Sequence, residues 1–162
     1  MLMVMSGIVR VKAFELFYSY KFYYPHDITY YVSTTIGTWT SYCNEAVESW
    51  ETHCPQIDVR PATDSNYNIY FYADTGVDSG FYAYMTATSE NRKSVTVYAG
   101  FLTLSEIQKR ETLVHEVGHA FGLLHCQELF NEISVMRATG FNNKPYPLSD
   151  DISGIAAMYP ND

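Results

Sequence analysis

The chain has 162 residues, which is the size of one domain built around a single hydrophobic core. Apolar residues make up 47% of the chain and charged residues 17%, a composition that excludes an intrinsically disordered protein. Acidic residues outnumber basic ones by 18 to 10, which gives a net charge of -8, and no basic stripe occurs. The sequence therefore predicts a globular domain and argues against nucleic-acid binding and polybasic membrane docking.

The N-terminal segment, residues 1–24, is predicted to be an extension with no role assigned from the sequence, and residues 25–162 a single domain. The extension is aromatic toward its end and stops at Pro25. Its apolar run over residues 1–9 is too short to span a bilayer. No positively charged stretch precedes this run and no small-residue cleavage pattern follows it, so it does not resemble a secretory signal.

Strands and one helix are predicted in the first half of the domain. Residues 28–33, 57–60 and 68–73 are rich in β-branched and aromatic side chains, which favour strands. From Thr38 to about His53, apolar residues recur at spacings of three and four, namely Trp39, Cys43, Ala46, Val47 and Trp50. This spacing predicts an amphipathic helix.

A hairpin is predicted in the middle of the chain. Residues 81–86 and 94–99 have the composition of strands, and the polar stretch 89–93 between them is typical of a connecting loop.

Two further helices are predicted in the second half. Ser105, with Gln108 three residues later, is a capping-box signal, and apolar residues continue the periodic pattern to about Gly122. Ser149 is predicted to cap a final helix that Pro160 ends.

The long helix carries the sequence HEVGH at residues 115–119. Residues four apart lie on the same face of a helix, so the imidazoles of His115 and His119 can point at one metal ion. Gly122 can adopt the backbone turn that ends the helix and returns His125 as a third ligand. Neutral imidazole nitrogen suits zinc, and the sequence therefore predicts a three-histidine zinc site.

The chemistry of this predicted site is catalytic rather than structural. Three histidines leave one tetrahedral position for water, and an open position distinguishes a catalytic zinc from a closed one. Glu116, adjacent to the first ligand, can reach that water as a general base. His26 and His53 lie outside the motif and are expected to be ordinary hydrogen-bonded histidines.

The extended motif HEVGHAFGLLH resembles that of the metzincin zinc endopeptidases. A second mark of that clan is a tight turn with a methionine beneath the zinc, and the sequence SVM ending at Met136, eleven residues past His125, is similar to it. The resemblance implies hydrolysis of peptide bonds, one catalytic zinc, and a structural role for Met136.

Within this clan the chain is most similar to the matrixins, the family of matrix metalloproteinase catalytic domains. The tail LSDDISGI at residues 148–155 resembles the start of their C-terminal helix. Residues 28–30, 46–50 and 68–71 resemble their first strand, first helix and third strand. The resemblance covers about residues 26–160 and implies an α+β fold. This fold has a twisted, mostly parallel five-stranded sheet with one antiparallel edge strand, and three helices.

The same resemblance implies how a substrate would bind. An extended polypeptide would lie antiparallel to an edge strand at residues 81–85, which contains Tyr82, Ala83 and Tyr84. The pocket beside the zinc would be walled by residues 137–141. Asp151 would brace the turn at Met136. The resemblance also implies a secreted monomer that acts on proteins such as those of the extracellular matrix.

Some positions depart from the matrixin pattern. Tyr84 stands where matrixins carry a histidine for a second, structural zinc, so only one zinc is expected. Asp74 and Asp78 could hold calcium, but a solvated loop is expected because dense oxygen-ligand spacing is missing. Ala138 stands where some metzincins have a tyrosine that reaches the zinc. No cysteine precedes Cys43, so the matrixin latency motif is not encoded in this sequence.

Other interpretations stay open. Archaemetzincins also place a cysteine directly after the third histidine, as Cys126 does, but they use further downstream cysteines that this chain lacks. A zinc-stabilised peptide-binding module without activity is the second alternative, although it would not need Glu116. Cys43 and Cys54 are predicted either to form a disulfide or to be two small buried residues.

Overall fold

A five-stranded sheet and three α-helices make up the computed structural model, which describes residues 14–63 and 66–160. The strands are β1 (Ile28–Val32), β2 (Val59–Pro61), β3 (Ile69–Asp74), β4 (Ala83–Ser89) and β5 (Arg92–Tyr98). The helices are α1 (Thr40–His53), α2 (Glu106–Ala120) and α3 (Ser149–Met158). The predicted fold class is therefore confirmed. No helix among the described residues is long and apolar enough to cross a membrane.

The sheet has the strand order β2-β1-β3-β5-β4. Its first three neighbouring pairs are parallel, and β4 pairs antiparallel with β5. This arrangement leaves β4 at one edge, as predicted for the strand that would receive a substrate.

The hairpin between β4 and β5 is tighter than predicted. The polar stretch 89–93 was expected to form the whole loop, but Ser89 pairs directly with Arg92, which leaves only residues 90–91 between the strands. Lys93 pairs with Ala87 on one side and with Ile69 on the other. Backbone ladder bonds form whatever the side-chain polarity, so a polar stretch can continue a strand.

The start of α3 also differs from the prediction. Ser149 is the first helical residue rather than the cap, and the Asp151 carboxylate accepts the N–H of Leu148 at 2.8 Å. A carboxylate in the first turn satisfies helix N–H groups and interacts favourably with the helix dipole, as serine does at a cap.

The core lies between the sheet and helices α1 and α2. Trp50 of α1 is fully buried, and its indole N–H donates to the backbone carbonyl of Val114 in α2 at 2.9 Å. Cys43 and Cys54 are also buried, and both are free thiols, which agrees with the second of the two alternatives predicted for them. Burial raises the pKa of each thiol to about 12.

The part of the N-terminal extension that the structure describes packs against this body. Leu16 forms an antiparallel bridge with Leu123, and the N–H of Phe17 donates to the carbonyl of Gly122 at 2.8 Å. Phe22 is only 1% exposed and belongs to the hydrophobic core. The predicted apolar run over residues 1–9 lies outside the described residues.

Lys93 is a basic residue on the core-facing side of β5. Its side chain is 2% exposed, and it shares the strand face of the buried Val95 and Val97. The ammonium lies 3.3 Å from the ring centroid of Phe22 and donates to the backbone carbonyl of Glu90. Burial lowers the pKa of Lys93 to about 7, because desolvation disfavours the charged form.

This depressed pKa predicts a pH-dependent stability. Between about pH 7 and the ordinary lysine pKa of 10.5, the unfolded chain binds a proton that the folded chain does not. Stability therefore rises with pH in this window. From pH 7 to 8.5, we expect the free energy of unfolding of the wild type to increase by up to ~2 kcal/mol more than that of Lys93→Met. Urea denaturation at the two pH values measures this difference, and equal changes in the wild type and Lys93→Met would contradict it.

Candidate metal centre and cleft

Helix α2 places two histidines on one face. Its first turn is fixed by Gln108, whose side chain accepts the N–H of Ser105 at 3.0 Å, as the predicted capping box requires. One turn apart in the second half of the helix, the rings of His115 and His119 have centroids 4.7 Å from each other. The helical spacing therefore brings these imidazoles together as predicted.

A left-handed turn at Gly122 returns the third histidine. Its φ is 95°, a conformation that side-chain-bearing residues rarely adopt, and a Cβ there would lie only 3.3 Å from the backbone oxygen of Phe17. After this turn, Nε2 of His125 lies 3.2 Å from Nε2 of His119. One ring nitrogen from each of the three histidines lies within 4.8 Å of the others.

Backbone carbonyls orient the two helical imidazoles. Nδ1 of His115 lies 2.9 Å from the carbonyl oxygen of Val135, and Nδ1 of His119 lies 2.7 Å from that of Leu123. A carbonyl can only accept, so in each ring Nδ1 carries the proton and Nε2 keeps its lone pair. This tautomer is the one in which Nε2 can bind a metal ion.

Electrostatics keep these histidines neutral. Burial lowers the pKa of His115 and of His119 to about 4, and it also lowers the pKa of His125. A histidine must be neutral to bind a metal ion, so the cluster is prepared for one at neutral pH.

The predicted methionine turn packs against the helix that carries two of the histidines. Met136 packs against Gly118, which stands between the two helical histidines, so closely that a Cβ at position 118 would collide with its sulfur. Asp151 holds this turn by accepting the hydroxyl of Ser134 and, at 2.8 Å, the N–H of Val135. Asp151 therefore braces the turn, as the family resemblance implies, and Met136 lies against the helix that carries His115 and His119.

Glu116 points from α2 toward the edge strand. It is 8% exposed, and its Oε2 accepts the N–H of Met85 in β4 at 2.8 Å. Burial raises the pKa of this carboxyl, while the neighbouring His119 and the N–H of Met85 oppose the increase. A raised pKa brings a carboxylate closer to the range in which it can accept and return protons near neutral pH.

A cleft of about 580 Å³ opens above the three histidines and Glu116. The predicted substrate-strand residues Tyr82, Ala83 and Tyr84 line it, although Tyr82 precedes β4 rather than lying within it. The whole predicted pocket segment, residues 137–141, also lines it, and Ala138 there is exposed.

The remaining candidate ligands lie outside this centre. His26 is exposed, while His53 has its Nδ1 2.7 Å from the carbonyl oxygen of Ser49 and stacks on Tyr146. Within residues 14–63 and 66–160, the three-histidine cluster is the one group of three or more side chains placed to hold a metal ion. Asp74 and Asp78 are not part of such a group.

Tyr20 and Glu111 are among the cleft residues that the sequence analysis did not predict. Tyr20 comes from the N-terminal segment, and no local pattern indicates that it reaches the cleft. Glu111 lies one helical turn before His115, so the same spacing of four that identified His119 could have placed it on this face.

Comparison with known proteins identifies the class. The chain belongs to the reprolysin-like metallopeptidases of family M12B, whose sequence model matches residues 20–126. A metallopeptidase with a metzincin-like fold is therefore the class that the chain represents. The match does not include the tail at residues 148–155, on which the matrixin resemblance depends, so that finer assignment stays a prediction. No match was found among curated proteins.

Solved structures share the fold. One myroilysin structure aligns over 91% of this chain and 98% of its own, with a TM-score of 0.65 and 14% identity. A crystal structure of myroilysin aligns over 88% of this chain and 87% of its own, with a TM-score of 0.62 and 16% identity. A chain of the GM1-bound ECX AB5 holotoxin aligns over 84% of this chain and 81% of its own, with a TM-score of 0.62 and 16% identity. Identities this low establish similarity of fold alone.

The cluster predicts metal stoichiometry. Elemental analysis of protein purified without added metal should give about one equivalent of zinc per chain, because three neutral imidazoles form one site. His119→Ala should reduce this to nearly none, and His26→Ala, which alters an exposed histidine outside the cluster, should leave it unchanged. A wild-type value near two equivalents would indicate a second zinc site, which the sequence argued against.

The contacts of Asp151 predict a structural effect. Asp151→Ala leaves Ser134 and the N–H of Val135 without their acceptor, so we expect a lower melting temperature and faster loss of zinc to a chelator. Asp150→Ala, which removes the same charge from the same helix turn, should have a smaller effect. Full zinc retention and an unchanged melting temperature, with a roughly thousandfold loss of turnover, would instead assign Asp151 to the chemistry.

Proposed function

We propose that the protein is a zinc-dependent endopeptidase in which Glu116 is the general base and His115, His119 and His125 hold the metal. The observation that carries this proposal is the convergence of the three imidazoles beside a buried glutamate on the floor of an open cleft. Such a centre is expected in a reprolysin-like metallopeptidase, the family to which the chain belongs.

The residues present fit zinc. Two of the three imidazoles have Nδ1 hydrogen-bonded to a backbone carbonyl, which leaves the lone pair on Nε2, and nitrogen donors are ligands that zinc prefers. Three protein ligands are also the number found in catalytic rather than structural zinc sites. When bound there, zinc supplies Lewis-acid chemistry that activates water and polarises a peptide carbonyl.

Glu116 moves the proton in this proposal. Its Oε2 is held by the N–H of Met85, which fixes the orientation of the carboxyl group toward the cleft. The carboxylate accepts a proton from the water that attacks the scissile carbonyl carbon. It then delivers that proton to the amine nitrogen as the carbon–nitrogen bond breaks.

The peptide substrate binds along β4. This strand ends the sheet, so backbone groups along its outer edge, other than the Met85 N–H that Glu116 binds, can pair with an extended chain. Tyr84 on this strand is 51% exposed and lines the cleft, as do residues 137–141 on the opposite side. The proposed substrate therefore lies between β4 and the segment that follows Met136. The family resemblance also supports a secreted protein.

The general-base role predicts a loss of activity without a loss of zinc or of the fold. Glu116→Ala should lower the turnover of a fluorogenic peptide by about 10³- to 10⁴-fold, because base and proton donor are removed together. Zinc content and the circular dichroism spectrum should stay as in the wild type, because Glu116 is not proposed as a ligand.

The control is Glu48→Ala, which removes an exposed carboxylate from α1 and should retain full activity. Loss of zinc or of the fold in Glu116→Ala would show that this residue has another role. A wild-type protein that holds zinc and binds peptides but never cleaves them would support the peptide-binding module instead.

A further inference from the structure

Glu111 is a buried carboxyl group in the cleft with no part in the proposed proton transfer. It lies on α2 one turn before His115 and is 2% exposed. A carboxylate is expensive to bury unless hydrogen bonds compensate for the lost water. The hydrogen-bond partners of Glu111 therefore indicate which part of the cleft this residue supports.

Both of its oxygens bind one loop. Oε1 accepts the N–H of Asn142 at 2.9 Å, and Oε2 accepts the N–H of Asn143 at 2.7 Å. Asn143 has a φ of 59°, a left-handed conformation that asparagine adopts more readily than most other residues. The two charge-assisted hydrogen bonds, to consecutive N–H groups, hold the loop in this conformation.

A second contact ties the same loop to the methionine turn. The side-chain amide of Asn142 donates to the carbonyl of Ser134 at 3.2 Å, and its Oδ1 accepts the N–H of Lys144 at 2.8 Å. Ser134 is also the residue whose hydroxyl donates to Asp151. Residues 142–144 are therefore fixed at two points, of which Glu111 is the one on the helix that carries the histidines.

This loop continues directly from a cleft wall. Thr139, Gly140 and Phe141 line the cleft, and the next two residues are those that Glu111 holds. Glu111 thus joins one wall of the cleft to the helix that forms its floor. Loss of these bonds would let the wall move relative to His115 without removing any group from the catalytic centre.

We infer that Glu111 is a positioning residue that sets the width of the pocket beside His115. It thereby sets the size of the substrate side chain accepted immediately after the scissile bond. This inference rests on the proposed function. The carboxylate itself does not contact the substrate, because both of its oxygens are already bound to the loop.

The test compares Glu111→Gln with Glu51→Gln in a zinc-loaded Glu116→Ala background, which binds peptides without cleaving them. Glu51 is a matched control because its carboxylate also accepts a backbone N–H, that of Val59 at 3.2 Å, and does not line the cleft. The two readouts are amide hydrogen exchange and the affinities of peptides that differ only at the residue after the scissile bond, carrying Gly, Leu or Phe.

The expected result is specific to the loop. Exchange at the amides of Asn142 and Asn143 should rise at least tenfold in Glu111→Gln and stay unchanged in Glu51→Gln. The ratio of affinities between the Leu and Gly peptides should fall about tenfold, which corresponds to ~1.4 kcal/mol. Glu111→Asp keeps the charge with a shorter reach. It should give an intermediate ratio, and it serves as the second variant if Glu111→Gln does not fold.

Other outcomes would overturn the inference. Unchanged exchange at the two amides would mean that Glu111 does not hold the loop. Raised exchange with an unchanged affinity ratio would mean that the loop does not set the pocket. Peptides that bind with the expected ratios to a protein whose wild type never cleaves them would refute the proposed function and, with it, the link between this pocket and a scissile bond. The hydrogen-exchange result would still show separately whether Glu111 holds the loop. Absence of peptide binding in every variant would overturn the specificity role.

Discussion

The left-handed turn at Gly122 is the constraint on which the site depends. Without it, α2 would continue in its own direction and the third imidazole could not return to the two that the helix presents. Gly122 meets two requirements at once, because its φ of 95° strains any residue with a side chain and because a Cβ would crowd the backbone oxygen of Phe17, 3.3 Å away. The turn also exposes the backbone of Gly122 to the N-terminal segment, whose Phe17 N–H binds its carbonyl. One backbone conformation therefore organises both the metal centre and the packing of the preceding chain.

A network of buried polar contacts then holds the elements around that turn. Asp151 of α3 binds Ser134, Ser134 accepts the side chain of Asn142, and the backbone of Asn142 binds Glu111 of α2. Three segments that are distant in sequence are joined through these bonds, which are strong because carboxylates are acceptors in two of them. The carbonyl of Val135, next to Ser134, orients His115. The same network therefore supports the methionine turn, a metal-ligand candidate and a wall of the cleft.

Burial gives the ionisable groups of the cleft different properties. It lowers the pKa of His115 and His119 to about 4 and so keeps them neutral. It raises the pKa of Glu116, which moves this carboxyl toward the range useful for proton transfer. Desolvation disfavours both the imidazolium form of the histidines and the carboxylate form of Glu116. The same buried environment therefore favours metal binding by the histidines and proton transfer by Glu116. The proposed endopeptidase mechanism uses these two consequences together.

The sequence by itself determined the zinc-ligand candidates and the general-base candidate. These depend on local spacing: His115 and His119 are one helical turn apart, and Gly122 permits the turn before His125. The fold class, Met136 and Asp151 were indicated through resemblance to a known family. Only the tertiary structure decided that Lys93 is buried in a strand, that residues 90–91 alone form the hairpin turn, and that Ser149 is helical rather than a cap. Strand pairing and burial are set by contacts with distant residues, so side-chain polarity along the chain does not determine them. The same reason applies to Glu111, whose partners Asn142 and Asn143 lie about thirty residues away and come into contact with it only when the cleft wall folds against α2.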